Sequence, residues 1–196
     1  DFLQMVLGDG SGALSVTGDK AGLKVDLSVD RSRIYDLSQV ARFEPMQGRG
    51  AIRLASDIWT GAFDVGLPDQ PVGQLCLRHE ARSGQGGLAI TTVGMPCTAP
   101  MAFGEAVPEP QGGLVFAEHG LQPKALSALV PDAIGEPVSG RAAFAGHMVW
   151  GGDRLESAGR IALRDFSFAS PVGKVSGGTG DIRIDSLVPL VVPAGQ

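Results

Sequence analysis

Hydrophobic and polar positions alternate with period two along much of this 196-residue chain. The cleanest run puts Leu23, Val25, Leu27 and Val29 on one side of an extended segment and Lys24, Asp26, Ser28 and Asp30 on the other. Successive side chains of a strand point to opposite faces, so this pattern predicts a strand with one dry and one wet side. Leu14 and Val16 give residues 13–17 the same alternation, and the Gly- and Asp-containing stretch 18–22 predicts the turn that joins the two as a hairpin. Residues 73–80 and 86–93 repeat the arrangement around the turn-rich stretch 82–86.

Where the alternation fails, other elements are expected. Ile34, Leu37, Val40 and Ala41 recur at helical spacing behind Asp30 or Ser32 as N-cap, which predicts a short helix near 32–43. Residues 44–50 read as a loop, 51–55 as a strand, and Trp59 to Gly61 as a turn or bulge before Phe63 and Val65 come into phase. Gly8 to Gly12 reads as a hairpin or inter-strand loop. Between Met95 and Gly113 the prolines 96, 100, 108 and 110 predict a loop or edge segment, because proline donates nothing to a β-ladder. This segment divides the chain into an N-terminal β section (1–95), a Pro-rich loop (96–112) and a C-terminal β section (113–196) with a second short helix near 123–134.

The last third carries the strongest pattern. Ala142, Phe144, Met148 and Trp150 share one face of a strand, Gly151-Gly152-Asp153 forms a turn, and Ile161 and Leu163 lie opposite Arg160 and Arg164 on the next. Phe166 and Phe168 then fall out of phase, which predicts a bulge near Asp165. A short alternation, Asp181 to Asp185, exposes Ile182 and Ile184 on one side. The strand ending in Trp150, the SAGRIALRDFSF run, Gly173 to Gly178 before Ile182-Arg183-Ile184, the segment Asp185 to Leu190 and the closing Pro193-Ala194-Gly195-Gln196 form a recognisable layout. Together with Gly113 to Phe116, Leu121-Gln122-Pro123 and the helix that follows, this layout resembles the YdbH-like proteins (the dicarboxylate transport domain), members of the AsmA-like bridge-like lipid transfer proteins. The resemblance covers roughly residues 60 to 196 and rests on pattern and turns.

The resemblance implies a mainly β fold, a curved antiparallel meander sheet forming a half-pipe (β-taco-like) groove with one or two short helices. It also implies a function: a segment, near the C-terminal end, of a periplasm-spanning bridge that carries phospholipid between the inner and outer membranes of a Gram-negative bacterium. The parent protein would be anchored in the inner membrane and would work with an outer-membrane lipoprotein. Strand phase predicts Leu23, Val25, Leu27, Val29, Phe144, Met148, Ile161, Leu163, Ile182 and Ile184 as the groove lining that meets phospholipid acyl chains. The sequence starts and stops in mid-pattern, which predicts neighbouring segments of a longer parent chain.

Composition narrows the other classes. Twenty-nine glycines against 6% aromatic residues favour many short strands with tight turns, and a net charge of −5 provides no basic face for nucleic acid. No apolar run reaches the length of a membrane span. Cys76 and Cys97 flank a hairpin, a placement compatible with a disulfide and equally with two small buried hydrophobic side chains. His79, His119 and His147 lack metal-ligand spacing, and Asp19, Asp26, Asp30 and Asp36 form no calcium-loop motif, so no cofactor or metal is predicted. His79 and Glu80 point to opposite faces of one strand, and His147 and Asp165 read as surface residues. No nucleophile, base and orienting group assemble into a catalytic centre, so the chain is not expected to be an enzyme. Two alternatives stand beside the bridge: an outer-membrane assembly scaffold acting through strand edges, and a periplasmic carbohydrate-binding β-sandwich, against which the low aromatic content counts.

Overall fold

The computed structural model describes residues 6–19, 22–36, 46–67, 70–116, 136–170, 173–187 and 190–193. The regular elements among them are all strands: β1 (Val6–Asp19), β2 (Gly22–Asp36), β3 (Met46–Ala55), β4 (Ile58–Leu67), β5 (Gln70–Glu80), β6 (Gln85–Thr92), β7 (Leu114–Phe116), β8 (Glu136–Gly151), β9 (Arg154–Ser170), β10 (Gly173–Ile184), β11 (Ser186–Leu187) and β12 (Leu190–Val191). Ten of them form one antiparallel sheet in the order β1-β2-β3-β4-β5-β6-β8-β9-β10, with β7 paired to β8, and the sheet stays open instead of closing into a barrel. The alternation in the sequence thus produces the meander that it predicts.

The exceptions have local causes. The helix expected near 32–43 is absent where it can be seen, because β2 runs to Asp36. The lost alternation there is a β-bulge: Val29 pairs with Gly12 and Gly50, whereas Arg31 pairs with Ser11 and Ser32 with Gly48. One extra residue inverts the phase, and Ser32 takes over the face that Val29 held, which breaks the alternation. The remainder of that helix, and the one near 123–134, lie outside the described residues. Gly8 to Gly12 belongs to β1 and forms no loop. Trp59 to Gly61 is regular strand in β4, and the turn sits earlier, at Ser56 (φ 51°) and Asp57 (φ 66°). The bulge near Asp165 is present: its φ is 50°, and the β8–β9 register shifts between Ser139 and Arg141.

The Pro-rich segment 93–113 is a loop, as its prolines predict. The chain leaves β6 at Thr92, crosses the polar face of the sheet, and returns as β7 on the edge of β8 that β6 had occupied. Several attachments hold this strap down. Cys97 is bonded to Cys76 of β5 with Cα atoms 5.6 Å apart, Gln85 donates its side-chain amide to the Met101 carbonyl, the Gly104 amide donates to Glu156 Oε1 at 2.6 Å, and Arg154 lies 4.2 Å over the Phe103 ring. The disulfide therefore joins a strand to the strap, and the two cysteines are not hairpin neighbours. Gly87 is where the strap comes closest, since a Cβ there would run into the Pro100 carbonyl oxygen.

Much of the buried core lies between the strap and the sheet, where Met95 of the strap and Cys76, Ala89, Ala143, Ala145, Val149 and Ala162 of the sheet are buried. Small side chains allow the strap backbone to approach the sheet and still exclude water. A second cluster joins Met46 of β3 to Phe166 of β9, with Val65, Leu67, Val72, Leu114, Ala142, Leu163 and Phe168 packed around them. Four strands separate β3 from β9 in the sheet order. Their contact requires the sheet to curl at this end, with the face bearing Met46 and Phe166 on the inside.

Candidate functional site

The register lines up the apolar positions of successive strands into transverse rows. One row runs Leu14, Leu27, Ile52, Gly61, Leu77, Leu88, Met148 and Ser157. The next runs Val16, Val25, Leu54, Trp59, His79, Gly86, Trp150 and Leu155. On the other side lie Gly12, Val29, Gly50, Phe63, Leu75, Ile90, Gly146, Gly159 and Ile184. Phe144, Ile161 and Ile182 form the start of a further row, and Leu163 pairs with Ala142. Because paired residues share a face, all ten residues expected to line a groove fall on a single face of the sheet, the one that is concave at the Met46–Phe166 end.

Burial along this face is partial. Of the ten, Val25, Leu27, Val29, Phe144, Met148, Ile161, Leu163 and Ile182 are half-buried, Leu23 is 52% exposed and Ile184, at 4%, is covered; Leu14 on the same face is 66% exposed, whereas Met46, Ser157 and Phe166 are buried. The sole second sheet among the described residues is the small pair β11–β12. Among the described residues no larger sheet packs on these side chains.

The opposite face is polar and self-paired at its N-terminal end. Asp26 bonds Arg53 at 2.5 Å and Lys24 at 3.3 Å, and Arg49 reaches Asp64 at 3.4 Å. The hydrogen bond from Arg53 is the main reason the Asp26 carboxyl titrates below its ordinary range. These groups form the solvated face of a strand, and the described residues contain no cluster of three or more metal-ligating side chains. His79 and Glu80 do point to opposite faces: Glu80 meets Arg78 at 3.4 Å, whereas His79 stacks on Trp150 with ring centroids 6.0 Å apart. His147 was expected at the surface and is 3% exposed instead, covered on the polar face of β8. Burial holds its pKa below the ordinary value, opposed by the charges of Glu105 and Glu156. Its neighbour in sequence terms gave no warning, because the strap that covers it is remote along the chain. His119 lies outside the described residues.

The hollows that the surface does contain are not on the apolar face alone. One of about 540 Å³ lies over Ala13, Ser15, Ala51 and Ala62, where small side chains dip the polar face, and one of about 590 Å³ lies between Gly104–Val107 and the outer side of β9 and β10. The apolar face is an open surface, suited to an extended partner more than to a compact ligand.

One part of that face is occupied by the chain itself. After Ile184 the backbone turns, and the Leu187 side chain settles over two glycines paired across β8 and β9. A Cβ at Gly146 would lie 2.6 Å from Phe144 Cζ and 3.1 Å from Leu187 Cδ1, and one at Gly159 would lie 3.1 Å from Leu187 Cδ2. The Leu187 amide donates to Ser157 Oγ at 3.0 Å, and the Ser157 and Ser186 hydroxyls are 3.3 Å apart. Periodicity alone missed Leu187, Gly146 and Gly159; the signal that was available is glycine inside a strand, which marks a close approach. No helix among the described residues is long and apolar enough to cross a membrane.

The fold so defined is an open, all-β meander with one apolar and one strapped polar face. No family model, curated protein or solved structure matches the chain.

Proposed function

We propose that this chain is a section of a lipid-conducting scaffold whose apolar sheet face holds phospholipid acyl chains in the bacterial periplasm. The observation that carries the reading is the run of half-exposed aliphatic side chains across nine strands, over which the described residues place only the two-residue pair β11–β12. Each methylene removed from water contributes about 0.8 kcal/mol, so an acyl chain laid along such a surface is held without any polar contact. Two further features support it. A disulfide suits an oxidising compartment. Among the described residues β1 and β10 each pair on one side only, which suits continuation of the sheet by neighbouring segments of a parent chain anchored in the inner membrane and partnered by an outer-membrane lipoprotein. Those two edges also favour a second reading, an outer-membrane assembly scaffold that adds strands of a client protein.

The test is photo-crosslinking in cells with a reactive side chain at Ile52, on the apolar face, and at Arg53, on the polar face. Phospholipid attached at Ile52 and absent at Arg53 supports lipid conduction. Protein adducts at β1 or β10 with no lipid at Ile52 would favour the assembly scaffold and sink the lipid reading.

A further inference from the structure

We infer that the row of Trp59, His79 and Trp150 is the polar rim of the lipid face: a bound phospholipid sets its ester level on this row, and its acyl chain runs from there along the strands towards the Met46–Phe166 end. The inference rests on the lipid reading above and deepens it by giving the lipid an orientation. Trp59, His79, Gly86 and Trp150 follow one another across β4, β5, β6 and β8, each two residues from a turn and all at the same end of the sheet. Gly86 lets the row close up. A Cβ there would lie 2.4 Å from Trp150 Cζ2 and 2.9 Å from His79 Nδ1, so the indole lies over bare backbone and reaches the imidazole, on which it stacks. The His79 Nδ1 is buried and bonds to nothing. The ring proton therefore belongs on Nε2, which is not buried in this way and offers one N–H at the rim. His79 is the one titratable side chain in the transverse rows of this face.

The two ends of the face differ. Past the aromatic row the turns are hydrated and charged: Arg82, after β5, is exposed and pairs with Asp57, before β4, at 2.6 Å. At the other end Met46 and Phe166 meet, and Val65, Leu163 and Phe168 pack around them, which closes the face with hydrocarbon. Tryptophan and histidine each combine an apolar ring with an N–H, the combination that suits the boundary between hydrocarbon and ester groups. Length agrees with this polarity. From Trp150 to Phe144 strand β8 advances about 20 Å, and a tail that spans one leaflet of a hydrocarbon core of about 30 Å needs about 15 Å. One tail fits along the strands between the rim and the closed end, and two laid end to end do not.

The experiment uses the full chain and two phosphatidylcholines dispersed in detergent, one brominated near the carboxyl end of its acyl chains and the other near the methyl end. Emission from Trp59 and Trp150 is expected to be quenched about twofold more by the first, whose bromines lie at the row and not about 15 Å along the tail. With Trp59→Phe, Trp150→Phe and Phe144→Trp combined, that preference is expected to reverse. His79→Phe keeps a ring beside Trp150 and removes the Nε2 donor, and it is expected to bind phosphatidylcholine about fivefold more weakly, the worth of one hydrogen bond. His79→Gln retains a side-chain N–H and is expected to recover most of that loss. Should the triple variant fail to fold, the parent's own tryptophans decide the orientation. Equal quenching of Trp59 and Trp150 by the two lipids, or stronger quenching by the methyl-end bromines, overturns the orientation and leaves the lipid reading standing. Parent-level affinity in His79→Phe overturns the role of His79. Quenching by neither lipid in any form overturns the lipid reading itself.

Discussion

His147 sits on the polar face of β8 yet is shut away from water, and its folded-state pKa lies below the ordinary 6.5 because burial disfavours the imidazolium. The unfolded chain therefore takes up this proton more readily than the folded one, and stability declines as pH falls through about 6.5 and on towards the folded-state value. Glu105 acts lower: amides of Ala102 and Met101 hold its carboxylate in the charged form, so its contribution persists above the usual carboxylate range and is lost only in stronger acid. The melting temperature is expected to drop between pH 7.5 and 5.5, and His147→Gln is expected to flatten that slope; an unchanged slope would place His147 in contact with solvent. At this scale the sequence was readable wherever a residue's surroundings come from its own strand and the next. Leu27 and Asp26 were assigned to their faces correctly for that reason. His147 was not, because its cover comes from residues some forty positions away, and nothing in a local pattern encodes that distance.

At the scale of the element, the strap is the feature that pattern described least well. Its prolines rightly mark it as a loop, but they do not tell that Met95, Pro100 and Pro110 within it are buried. The disulfide closes a span of 21 residues between β5 and the strap. Constraint of a loop of that order stabilises a fold by about 3 kcal/mol. Mild reductant, or Cys76→Ala with Cys97→Ala, is accordingly expected to lower the melting temperature and to speed amide exchange under the strap, at Ala89, Ala145 and Val149, ahead of exchange in β2 and β3. Uniform exchange across the sheet would mean that the strap is not a separate unit. Over residues 32–36 the expected helix gives way to strand for a different reason. A bulge moves the apolar positions by one, and a period-two pattern with one step inserted resembles a period between three and four over so short a stretch.

For the whole molecule, the ten residues chosen by strand phase were gathered onto one face by the register, with the turns and bulges acting in concert. What could not be read was curvature. Met46 and Phe166 meet across four intervening strands, and no spacing in the chain announces a contact set by the accumulated twist of a sheet. The two tryptophans provide a direct probe of this face, since Trp59 and Trp150 lie in the same transverse row and no others are present. Phospholipid brominated along its acyl chains is expected to quench at least half of their emission, and Trp59→Phe and Trp150→Phe are each expected to leave a quenchable remainder. Emission untouched by brominated lipid would place acyl chains elsewhere.

The bulges at Asp30 and Asp165 have a consequence for how such a chain can change over time. Each strand writes its two faces by odd and even position, so losing or gaining a single residue exchanges dry for wet from that point to the next turn, whereas a change of two leaves both faces intact. Ser32, Phe166 and Phe168 stand after such one-residue steps and face as they do because of them. Length variation within the strands of this sheet is thereby confined to even steps, and an odd step survives only where a bulge absorbs it.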